Sequence, residues 1–80
     1  MQSISTAERE FMFYKIGTCG SFHKALIDTI FRADHINQAK LAMGFPEDVK
    51  VVQSFQNQEG YWEDLRQRWK AETGQEAPAF

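Results

Sequence analysis

Eighty residues with nine basic and eleven acidic side chains, a formal charge of −2, bound a single small domain and exclude a layered enzyme core. The near-balance of charge excludes a basic nucleic-acid footprint, an acidic tail and a mimic of the DNA backbone, while the lone Cys19 excludes an internal disulfide. No apolar run approaches the ~20 residues of a membrane span, and no basic region followed by an apolar run marks a secretory signal, so a reducing cytoplasm is the expected setting.

Ser5-Thr6-Ala7-Glu8 is a capping box, with Ser5 as cap and Glu8 reaching back to it. The first helix then runs to Ile16 and stops at Gly17. Ala7, Phe11 and Tyr14 share one stripe, and Met12, Phe13 and Ile16 spread over the opposite side, which makes this helix apolar on two faces. Phe11–Ile16 also fits a short strand, with 49–55 as its pairing partner; the cap favours the helix. Gly17-Thr18-Cys19-Gly20 is a turn, and Ser21 is the expected cap of the second helix. There Phe22, Ala25, Leu26, Thr29, Ile30 and Ala33 form the inward stripe, and Ile27 and Phe31 widen the apolar arc. This helix is expected to be the central one.

If the second helix continued through Asp34, Lys40 would fall in the apolar stripe, so a break or a bend is expected there, with Asp34 able to cap a third helix. Ile36, Ala39, Ala42 and Met43 share one side of that third helix. Met43-Gly44-Phe45-Pro46-Glu47-Asp48 is a corner: proline suits the first turn of a new helix, and two carboxylates meet its positive end. Val49, Val51, Val52 and Phe55 line the fourth helix, whose three valines lower its intrinsic helicity and leave tertiary packing to hold it. Asn57 or Gly60 marks the next corner. In the last helix Tyr61, Trp62, Leu65 and Trp69 cluster, and Asp64 and Arg68 are spaced for an i,i+4 pair. Gly74 ends it. The expected architecture is therefore all-α, a compact bundle of four or five short helices spanning 1–74, with a frayed tail over 75–80 unless Phe80 docks.

Chemistry-bearing residues are sparse. Cys19 and His23 are the nearest approach to an activated thiol, but no third, orienting group accompanies them, so no catalytic residue is expected. Cys19, His23 and His35 are too few for a metal site, and no cofactor is implied. Gly17–Ser21 resembles a phosphate cradle only superficially, since the nucleotide loop pattern is absent; Gly20, Ser21 and Lys24 remain as an anion-binding turn, with helix capping the simpler account. Residues 37–55 form helix, corner and helix, as a helix-turn-helix does. Lys40 and Lys50 stand where that motif wants small and apolar residues, and Glu47 and Asp48 would face phosphates, so nucleic-acid binding is a subordinate reading. The adjacent pairs Glu47/Asp48 and Glu63/Asp64 diverge on a helix and read as solvated faces.

What remains is more apolar side chain than a small fold hides easily. Phe13, Ile16, Ile27, Phe31 and Leu41 are the expected surplus, with Arg32 at their rim, and they point to a protein-interaction or self-association face. The run Ser21–Val49, SFHKALIDTIFRADHINQAKLAMGFPEDV, resembles short uncharacterised helical proteins carried by bacterial phages and mobile elements. The resemblance covers about a third of the chain and contains no diagnostic motif. It implies an accessory or host-modulating role exercised through binding, and it carries no active-site residue across.

Overall fold

Helix ends are set by local chemistry, and a computed structural model, which describes residues 3–79, places them in chain order as α1 (Thr6–Ile16), α2 (Ser21–Arg32), α3 (His35–Gly44), α4 (Pro46–Asn57) and α5 (Tyr61–Thr73). The Ser5 hydroxyl accepts from the Glu8 amide at 3.0 Å, and the Glu8 carboxylate accepts from the Ser5 amide at 3.0 Å, so both halves of the capping box are made. Phe11–Ile16 is therefore helix, and the strand alternative is overturned. Gly17 turns left-handed at φ 93°, and its amide and that of Thr18 both donate to the Phe13 carbonyl at 2.9 Å.

Ser21 does not cap α2. Gly20 holds that position in an extended conformation, with no side-chain bond to the helix end, and Ser21 becomes the first helical residue. At Asp34 the chain breaks and does not merely bend: Ala33 and Asp34 are both extended, and the Asp34 carboxylate accepts from the Asn37 amide at 2.8 Å. Pro46 opens α4 with Glu47 and Asp48 in its first turn. The corner after Asn57 closes through Gly60, left-handed at φ 81°.

The central element is α4, not α2. It packs against α1, α2, α3 and α5 in turn, and Val49, Val51 and Val52 are all buried on it. Three β-branched residues that weaken a helix in isolation are thus spent where every neighbour can reach them. Phe11 and Met12 of α1, Ile27 and Ile30 of α2, and Leu65 of α5 complete the fully buried set. Rings fill the space around them: Phe11 lies 5.2 Å from Phe55 and 6.0 Å from Trp62, both between ring centroids.

α2 is rotated relative to the stripe read from its sequence. Leu26, Ile27 and Ile30 are buried, whereas Phe22, Ala25 and Thr29 are exposed. The helix must serve α1 and α4 together, which turns the arc containing Ile27 and Phe31 inward. After Gly74 the chain is non-helical, and residues 75–79 lie back along α5: Trp62 Nε1 donates to the Pro78 carbonyl at 3.2 Å, Arg66 to the Ala77 carbonyl at 3.3 Å, and Ala77 is buried. Phe80, the residue on which docking of the tail was expected to turn, lies outside the described residues. The radius of gyration is 12.3 Å, against the ~11.6 Å that scaling gives for this length. Among the described residues no helix is long and apolar enough to cross a membrane.

Candidate functional site

The six residues expected to form a surplus apolar face do not share one fate. Ile27 is 1% exposed and belongs to the core; its place in an interaction surface is withdrawn, because α2 turns that side onto its neighbours. Phe31 is half-buried among Phe11, Tyr14 and Phe55, at centroid distances of 6.2, 6.2 and 5.9 Å. Phe13 is half-buried edge-on to Trp69 at 5.7 Å, and Leu41 is half-buried against the core. Only Ile16, at the end of α1, and Arg32, at the end of α2, stand exposed. The structure does not gather these residues into one patch.

A different set is exposed, and α3 explains it. Ile36 is 70% exposed and Met43 87%. Seven residues apart, they lie within about 20° of each other around the helix. Ala39 and Lys40, also exposed, lie between them on the same face. The opposite face carries Gln38, 4% exposed, with Leu41 and Ala42 half-buried beside it. Of the four residues read as sharing one side of α3, Ile36, Ala39 and Met43 are exposed, and Ala42 lies half-buried on the opposite face.

The reason is polar. Gln38 Nε2 donates to the Ile30 carbonyl at 3.1 Å, and the Gln38 side-chain oxygen accepts from Gln53 at 3.1 Å. At the α2 terminus the Ile30 carbonyl already accepts from the Ala33 amide at 3.2 Å, and the Gln38 amide from α3 adds a second bond to the same oxygen. α3 thus docks through a glutamine and turns its more apolar side to solvent. Phe45, which caps the end of α3, continues that exposure and pairs with exposed Phe22 at 6.0 Å between centroids. A polar residue at the centre of the inward face was the signal in the sequence: Gln38, Leu41 and Ala42 fall together at helical spacing.

The anion-binding turn loses its cation. Lys24 Nζ is paired with Asp28 at 3.0 Å, and Asp28 also accepts the Tyr14 hydroxyl proton. These bonds, from Tyr14 first and Lys24 second, hold the Asp28 carboxyl below its ordinary range, while burial and the Asp28 charge push the Tyr14 hydroxyl up to about 12. Gly20 and Ser21 remain exposed at the α2 start. His23 faces Glu10, Nδ1 to carboxylate 3.7 Å, rather than an orienting partner for Cys19. Burial raises the nearby Asp48 carboxyl, with His23 opposing and Glu10 adding to the rise. Among the described residues no group of three His, Cys, Asp or Glu side chains could hold a metal ion.

One polar cluster was legible only in part: the Asp64–Arg68 pair and the Ser5–Glu8 cap were read from spacing and are both present, but their union was not. Arg68 is 6% exposed, and its guanidinium spans the Glu8 carboxylate with bonds of 2.9 and 2.8 Å and reaches Asp64 at 2.9 Å. Tyr61 donates to the same Glu8 carboxylate at 2.6 Å. Burial by itself would raise the Glu8 carboxyl, but the bonds from Arg68, Tyr61 and the Ser5 amide outweigh it and hold Glu8 at about 2. Arg68 is held above its ordinary value mainly by Glu8, and Tyr61 is pushed well up by burial and the same carboxylate. Arg68 shares the stripe of Tyr61 and Leu65 at helical spacing, which marks a cation inside the packed face. Its partner sixty residues away left no trace in the sequence. The cluster is a staple between α1 and α5, with its charged groups paired to one another.

Fold and surface together define an all-α domain with one inverted amphipathic helix on its outside. No protein-family model, curated protein or solved structure matches the chain.

Proposed function

We propose that the chain is a small non-enzymatic interaction module that binds a protein partner through the outer face of α3 and the adjoining Phe22–Phe45 pair. The observation that carries this reading is the inversion of α3, which leaves Ile36 and Met43 in solvent while the core closes without them. The exposed areas of Ile36, Met43, Phe22 and Phe45 sum to on the order of 500 Å². A standard interface buries about 800 Å² per partner, so these side chains supply more than half of one and Asn37, Ala39 and Lys40 supply a rim. An accessory protein of a phage or mobile element, the role implied by the resemblance of Ser21–Val49, would act in this way.

Nucleic-acid binding through residues 37–55 is less well supported, because Glu47 and Asp48 occupy the first turn of α4, where phosphates would approach. A peptide-display selection against the wild-type chain, with the Ile36→Asp/Met43→Asp double variant as counter-selector, tests the proposal. Binders that hold the wild type and release the double variant are expected. Recovery only of binders indifferent to the two substitutions would contradict the reading.

A further inference from the structure

We infer that the segment seated on the α3 face is an amphipathic helix of another protein that carries carboxylates beside its apolar stripe. This rests on the interaction reading above and specifies its partner. The described residues form helices and no strand, so there is no sheet edge to which an extended peptide could add. The exposed stripe runs about 10 Å along α3, roughly two turns, and matches the ridge of a second helix laid against it. Ala39 gives that helix room to approach.

Charge selects the partner. Lys40 lies in the stripe, four residues after Ile36 and three before Met43, and forms no ion pair among the described residues. Any partner covering Ile36 and Met43 takes water from the Lys40 ammonium, which is unfavourable unless an acceptor replaces it. α3 itself carries no Asp or Glu, and Asp34 at its start is engaged with the Asn37 amide at 2.8 Å. A second copy packed face to face and antiparallel would set Ile36 against Met43 but bring the two Lys40 side chains together near the axis. Like charges disfavour that arrangement, whereas a glutamate or aspartate from a different chain would complete it.

Two synthetic helical peptides with the same leucine stripe, one flanked by glutamates and one by lysines, should be titrated into the isotope-labelled chain and followed at the α3 amides and the Met43 methyl. The acidic peptide should bind at least about tenfold more tightly than the basic one, with shifts centred on Ile36, Ala39 and Met43. Lys40→Glu should reverse that order without changing the helical content seen by circular dichroism, because Lys40 is fully outside the core. Equal affinity for both peptides, or an order that Lys40→Glu leaves unchanged, overturns the acidic partner but leaves the binding face standing. Binding of neither peptide to a monomer of about 9 kDa by light scattering overturns both. A dimer that Met43→Asp dissociates makes a second copy the occupant and overturns the inference.

Discussion

Glu8 performs three tasks with one carboxylate: it completes the α1 cap, accepts the Arg68 fork and accepts the Tyr61 hydroxyl. Removing it strands a buried guanidinium with Asp64 alone. Glu8→Ala should therefore cost about 3–5 kcal/mol, lowering Tm by at least about 12 °C in a domain of this size, as read by thermal circular dichroism. The pH dependence has a definite sign. Glu8 is held at about 2 against an ordinary 4.5, so the unfolded chain takes up the proton first, and stability present above pH 4.5 is lost as pH falls toward 2. That loss is on the order of 3 kcal/mol, and Glu8→Gln should remove most of the slope in urea melts across that window. Ile27 makes the opposite lesson at this scale. It reads from sequence as a spare apolar residue, yet Ile27→Ala should cost about 2–4 kcal/mol, because it opens a cavity in the core. The capping role of Glu8 was legible, since Ser5 stands three residues away. Its pairing with Arg68 was not, because only the fold brings α1 and α5 together.

At the scale of elements, helix positions followed from local chemistry and helix orientations did not. The Ser5 cap, the Gly17 turn, the Asp34 break and the Pro46 start are each written in a few adjacent residues, and each falls where those residues place it. The facing of α2 and α3 is decided by what lies opposite. α2 meets two helices at once, and α3 is oriented by Gln38, which joins the Ile30 carbonyl and the Gln53 amide. A periodicity reading assumes that the more apolar side of a helix goes inward, and α3 breaks that assumption. Gln38→Ala should leave the Gln53 amide short of a partner and remove the second bond to the Ile30 carbonyl, at a cost of about 1–2 kcal/mol. The loss should be local: hydrogen exchange should quicken across α3 amides more than across α4 or α5. Uniform quickening over the whole chain would show that Gln38 is not what fastens α3.

For the molecule as a whole, α4 gathers the other helices and the aromatic rings close the space around it. The all-α class was legible in the caps and turns. Which apolar residues stand exposed was not, because the stripes of α2 and α3 turn away from the sides their sequences favour. Phe31 and Phe13 are packed against rings, while Phe22, Ile36, Met43 and Phe45 stand out. The central claim is that this face serves a partner and not the fold. The direct measurement is the thermal melt of the Ile36→Asp/Met43→Asp double variant beside the wild type. A cooperative transition within about 8 °C of wild type is predicted, since two exposed substitutions of about 0.5 kcal/mol or less each sum to about 1 kcal/mol or less. A fall of 10 °C or more, or loss of the cooperative transition, would mean that Ile36 and Met43 hold the domain together and would contradict the account.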